Sequence, residues 1–414
     1  MCEKVKRITR KVGGWKLKKI MILIGFLVTI LFGCSTEPTN IKEEISLTKE
    51  EQAAIDKQKE IVEEVDLVKS YFTKMIEAVE NNDEEGFLRF QNKSNSLFYK
   101  EQERWIEEAI FKKNQGYNFT VHLRKVNLTS LEKGTIELSV NMKYQNSESI
   151  NKVTYSILKL NDNWKIDDVP FEKIIKGNIA VLYVSDEEQA QIVLNEASDI
   201  IELYSKEFKW EPKEITIKLY DSMEQVSATV PWTGLAGWNE TGESLKLMVP
   251  SMVHNNSFKI LAHELSHKML SDLSNDNLSL YLQEGVASFL QSVVEKDETD
   301  KPIINLNNLA AAEKQLLENE EFIFLPISDM NKLDYTQSFE ISSVGFLLAD
   351  YLITQQGFEK FFTMVKDMAS DPYIDTRSEH KLQILSERTT KVLEKFYGNT
   401  SQLSVDYENH YNRQ

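Results

Sequence analysis

Residues 263 to 267 read His-Glu-Leu-Ser-His, and neither Pro nor Gly interrupts the stretch from Phe258 to Ser271. On a helix, positions i and i+4 lie one above the other, about 6 Å apart along the axis. His263 and His267 can therefore turn their ring nitrogens toward one divalent ion. Glu264 is rotated about 100° from His263, which puts it beside that ion without making it a ligand. A base for a metal-activated water belongs there. Leu261, Leu265 and Met269 recur every four residues as a stripe to bury, and Asn255-Asn256-Ser257 supplies the cap, with Ser257 as N-cap. The chain has only six His, so chance would produce this spacing on the order of once in a hundred such chains.

A catalytic zinc centre needs three protein ligands and one open position. Leu270 and Leu273 stand where a metzincin has Gly and His, which excludes that class. Glu284 instead lies in the strongly apolar run Leu278 to Val293. A carboxylate there costs several kcal/mol unless it is paired or metal-bound, and Zn2+ is the partner expected for it. Gly285 is expected to let this helix approach the His helix closely.

His263-Glu264-x-x-His267 followed by Leu282, Glu284, Gly285 and Ala287 resembles the gluzincin peptidases, the thermolysin-like clan, and particularly its minimal peptidase MA-like members. The resemblance covers roughly residues 180 to 370 and is densest over 258 to 290. It implies Zn2+ on His263, His267 and Glu284, with Glu264 as general base in the hydrolysis of a peptide or protein substrate. Ser288 departs from thermolysin, which has an Asp four residues past its third ligand. The family also implies a Tyr ahead of a helix that stabilises the oxyanion. Asp334 to Ser338, before the apolar helix 342 to 353, resembles that segment, which makes Tyr335 the candidate and leaves Tyr351 to the core. Leu245 to Val249 would match the edge strand on which zincins hold an extended peptide. His254 reads as a solvated loop residue.

Other elements precede this unit. Thr48 and Glu51 form a capping-box pattern, and Ile61, Val65, Val68, Phe72, Met75 and Val79 follow helical spacing up to Asn81-Asn82-Asp83. A second helix is expected over 97 to 111. Ile136 to Tyr144 then alternates apolar and polar, with 153 to 160 and 164 to 166 as partner strands around Asn161-Asp162-Asn163. His122, the lone His of this region, reads as structural. The fold class expected is α+β. Residues 58 to 174 resemble a cystatin-like or nuclear-transport-factor-two-like roll, and 178 to 410 a mainly helical zincin-like peptidase domain with a small sheet.

The first 33 residues carry eight Lys or Arg against the single acid Glu3, and this +7 leaves −24 of the net −17 to the rest. A surface that acidic repels phosphates, so no nucleic acid partner is expected. Lys16, Lys18 and Lys19 precede the apolar run from Ile20 to Phe32, too short to span a bilayer, and Gly33-Cys34 follows. This resembles a bacterial lipoprotein signal: 1 to 33 is removed, Cys34 is lipidated, and 34 to 57 is the tether. The expected location is the extracytoplasmic face of the membrane. Cys2 and Cys34 are the only cysteines, so no disulfide is expected in the exported chain. Two other functions stay open at this point: a catalytically inactive lipid-anchored peptide-binding or scaffold protein, and a zinc hydrolase of non-peptide amides.

Overall fold

The computed structural model describes residues 48–229, 237–249, 257–375 and 380–412. Cys34, His254 and the Asn255-Asn256 part of the expected cap lie outside them. The chain divides into two units, Met1–Lys57 and Gln58–Gln414. Of the first, only Thr48 and the opening turns of a helix are described. Among the described residues no helix is long and apolar enough to cross a membrane.

Helix α1, Lys49–Glu80, starts on the capping box: Glu51 N donates to Thr48 Oγ1 at 3.2 Å and Thr48 N to Glu51 Oε2 at 2.9 Å. Short α2 (Glu84–Leu88) and α3 (Ser96–Asn114) follow. Val68, Phe72, Met75 and Val79 of α1 are buried together with Phe98, Trp105 and Ile106 of α3. They cover an antiparallel sheet in the order β1 (Asn118–Leu128), β2 (Lys133–Tyr144), β3 (Ser147–Leu160), β4 (Asn163–Ile166). Ile136, Leu138 and Val140 are buried, as their alternation requires. The β3–β4 turn rests on Asn161 and Asp162, both at positive φ, the geometry of the tightest hairpins. His122 is exposed on β1.

A second sheet runs β5-β6-β7-β9-β8. Its strands are β5 (Glu172–Lys176), β6 (Ile179–Tyr183), β7 (Ile215–Tyr220), β8 (Gly237–Trp238) and β9 (Leu245–Met248), with α4 (Glu187–Phe208) crossing between β6 and β7 and α5 (Met223–Val226) following β7. β6, β7 and β9 are parallel; β5 and β8 run antiparallel at the two ends. α4 begins on Asp186, which accepts from Gln189 N, and buries Val193, Ala197, Ile200, Tyr204 and Phe208 on one face.

Against this sheet packs α6 (Ser257–Ser274), and α7 (Leu280–Val293) packs on α6. A hairpin, β10 (Val294–Lys296) and β11 (Pro302–Ile304), precedes α8 (Leu309–Leu317), α9 (Ile327–Met330), α10 (Ser338–Gln356), α11 (Phe358–Asp367), α12 (Lys381–Tyr397) and α13 (Thr400–Asn412). The close approach expected of Gly285 is made to a different helix. A Cβ at Gly285 would collide with the backbone of Gly345, and one at Gly345 with the carbonyl of Tyr281. Thus α7 meets α10 backbone to backbone there, and the His helix α6 packs elsewhere on α7. Among the described residues the chain is mixed helix and sheet, with one hydrophobic core on each of the two larger sheets.

Candidate metal centre

Leu261, Leu265 and Met269 of α6 are fully buried against the second sheet, so the opposite face carries His263 and His267 toward α7. Their Nε2 atoms stand 3.1 Å apart. Glu284 on α7 completes a triangle, with Oε2 at 3.6 Å from His263 Nε2 and Oε1 at 3.5 Å from His267 Nε2. Ligands at zinc distances of about 2.1 Å in tetrahedral array sit about 3.4 Å from one another. The His–His edge is close to that length, the two His–carboxylate contacts end on different oxygens of Glu284, and the donor set of two imidazoles and a carboxylate suits zinc. The residues present therefore fit the ion. Among the described residues this is the sole such cluster of His, Cys, Asp or Glu.

The protonation states suit it too. Burial holds the His267 ring down at about 4, against the pull of the Glu284 charge. Burial alone would raise Glu284, but His267 and His263 outweigh it and hold the carboxyl at about 2. Burial also opposes charge on His263, yet its hydrogen bond to Glu284 and the Glu264 and Glu284 charges win and its pKa rises. A metal site needs neutral imidazole and ionised carboxylate; two of the three groups are already there at neutral pH.

Glu264 lies on the next face of α6, 7 % exposed. Burial pushes its carboxyl up to about 7, with the Glu284 charge adding and His263 and Lys246 opposing. Its immediate neighbour was not visible in the sequence. The backbone of Gly237 lies against it, so closely that a Cβ there would overlap Oε1. Gly237 belongs to β8, and β8, not β9, is the outermost strand at this end of the sheet. The strand expected at 245 to 249 forms, but it lies one place further in, hydrogen-bonded to β7 on one side and β8 on the other. A two-residue strand has no periodicity to read.

Around His263, Nδ1 is buried without a hydrogen-bond partner among the described residues, and Gln291, two turns along α7 from Glu284, adds slightly to the rise of the ring's pKa. Ser288 occupies the position whose departure from the thermolysin pattern stood out, and its carbonyl accepts the Ser292 hydroxyl.

Tyr335 sits in the tight loop ahead of α10, where the Asp334 carboxylate accepts Thr336 N at 2.9 Å and the Thr336 hydroxyl. It is 69 % exposed. Even so, displaced water and then the charges of Glu240, Asp276 and Glu284 raise its phenol pKa. Glu284 lies within electrostatic reach of it. Tyr351 is half-buried on α10, packed edge-on against His410.

No family model and no curated protein matches the chain. Among solved structures it is similar to the crystal structure of an M1 zinc metallopeptidase variant from Deinococcus radiodurans, at 10 % identity and a TM-score of 0.31. The match covers 70 % of this chain and 61 % of that one, so less than two thirds of the neighbour's length is spanned. The likeness is too slight to bear on function.

Proposed function

We propose that the chain is a zinc-dependent peptidase of the gluzincin type, lipid-anchored through Cys34 at the extracytoplasmic membrane face, with peptides or proteins as substrates. In this reading residues 178 to 410 form the peptidase domain and 58 to 174 a roll-like support. One observation carries it: His263, His267 and Glu284 bring one ligand atom each within 4.8 Å of one another, with a buried carboxylate, Glu264, beside them.

Zinc held there supplies Lewis acidity toward water and toward the scissile carbonyl. The remaining steps belong to the chain itself. With a carboxyl near 7, Glu264 can take a proton from the attacking water and return it to the leaving amine at neutral pH. Tyr335, its phenol pKa raised, keeps its proton and donates a hydrogen bond to the developing oxyanion. β8, outermost in the sheet and touching Glu264, offers its backbone to an extended peptide.

The test is zinc content and peptide-library cleavage for the full chain and for Glu264→Gln and Glu284→Ala. We expect stoichiometric zinc in the wild type and in Glu264→Gln, and its loss in Glu284→Ala. Cleavage by Glu264→Gln should fall by about 10²–10⁴-fold. A wild type that takes up no zinc would refute the site. Zinc without cleavage of any peptide would place the chain among binding proteins.

A further inference from the structure

The N-terminal sheet and helices are joined to the metal-bearing half through buried charge. Glu101 of α3 is fully buried and reaches two lysines of the second sheet: Lys218 of β7 at 2.5 Å and Lys246 of β9 at 3.5 Å. It also accepts the Ser244 hydroxyl. One turn along α3, Arg104 holds Glu243 at 2.6 Å and Glu240 at 3.2 Å, and Glu243 pairs back to Lys246 at 2.7 Å. Both acids lie in the turn between β8 and β9.

The other end of the same connection is held as well. Past β7, Gln102 donates to the carbonyl of Ala228 at 2.7 Å and Trp105 Nε1 to that of Ser227 at 2.9 Å. Val226 and Ala228 are buried in the N-terminal core rather than in the core of their own sheet. One helix, α3, thus fastens the chain before β8 and after it. β8 itself pairs with β9 through only two residues and packs on Glu264.

From this arrangement we infer that the N-terminal half is the support of the outer strand beside Glu264, and that Glu101 and Arg104 of α3 are positioning residues for that strand. The fastening is independent of the peptidase reading. Its consequence for substrate rests on that reading: a peptide laid along β8 is bound on a strand whose place is set by the other half of the molecule. Buried charged groups suit such a role, because losing one leaves its partner charge stranded and the segment free to open.

The experiment is hydrogen exchange by mass spectrometry on the zinc-loaded full chain, for the wild type, Arg104→Gln and the milder Glu240→Gln at the rim. Cleavage of short and long peptides is measured in parallel. In Arg104→Gln, amides of residues 237 to 248 should exchange about 10-fold faster or more while those of α6 and β1 to β3 keep wild-type rates. Glu240→Gln should show the same change in smaller degree. For long peptides KM should rise several-fold with kcat within about twofold, the pattern of lost substrate binding. Unchanged exchange over 237 to 248 in both variants overturns the inference, as does exchange raised equally across the chain in both. If the wild type cleaves nothing, the peptidase reading fails and the exchange data still decide this one.

Discussion

Glu264 and Gly237 are 27 positions apart in the chain and in contact in space, and the consequence is steric. Replacing Gly237 by Ala puts a methyl where Glu264 Oε1 lies, and the carboxylate, buried as it is, has little room to turn away. A displacement on the order of 1 Å in a catalytic group can cost about 10²-fold. Gly237→Ala should therefore lower kcat by roughly 10- to 100-fold with zinc content unchanged. Steady-state kinetics beside metal analysis checks this; a variant with wild-type kcat would mean that Glu264 works from another position. At this scale the sequence was legible wherever the grouping of side chains is encoded locally. His263, Glu264 and His267 are joined by one helical turn, so their spacing is their geometry. Glu284 was legible because an acid stood out in an apolar helix. Gly237 was not, since only the pairing of β8 with β9 brings it to Glu264.

Among the elements, α7 and α10 are held by their glycines. A methyl on Gly285 must displace the Gly345 backbone, and overpacking of that kind costs about 1–3 kcal/mol. Because Glu284 is the preceding residue, Gly285→Ala should lose zinc affinity as well as stability. Chelator competition and thermal melts together test it: lost stability with affinity unchanged would show that α7 yields without moving Glu284. The sequence singled out Gly285 but not its partner, because a close approach names no second helix until the fold supplies Gly345. Likewise nothing in the sequence pairs Glu101 with Lys218 and Lys246 until the two sheets meet. α10 also carries Asp350, 1 % exposed, whose Oδ2 accepts the Tyr411 hydroxyl at 2.6 Å. Burial pushes its carboxyl from the ordinary 3.8 to about 7, Glu313 adding and Tyr411 and Thr354 opposing. The folded chain thus holds a proton that the unfolded chain has released. Between about pH 4 and 7 stability must fall as pH rises, by at most about 4 kcal/mol, and this contribution is level outside that window. Asp350→Asn keeps an acceptor for Tyr411 and removes the titration. Its urea midpoint should change less between pH 5 and 8 than that of the wild type; equal changes would mean that Asp350 titrates normally.

For the whole molecule, the cluster of His263, His267 and Glu284 joins the sheet-bound α6 to α7, and through α7 to α10 and the C-terminal helices. An ion bound only by the folded chain stabilises it by mass action, about 2.7 kcal/mol when free ion stands at 100 times its Kd. With two ligands already in the required protonation state at neutral pH, the protons that compete with the ion come chiefly from His263, whose pKa is raised. Binding should accordingly be strongest above that pKa and weaken as pH falls through it. Zinc-loaded protein should melt several degrees above chelator-treated protein at pH 8, and the gap should narrow at pH 6. Scanning calorimetry with and without chelator at both pH values measures it. A gap that is the same at pH 6 and 8 would mean that His263 does not compete, and no gap at either would mean that the three side chains hold no zinc in the folded chain. The acidic surface, −24 beyond residue 33, adds a screened attraction for any divalent cation. High salt should remove that contribution and leave the specific stabilisation by zinc in place, so the comparison is best made at both ionic strengths.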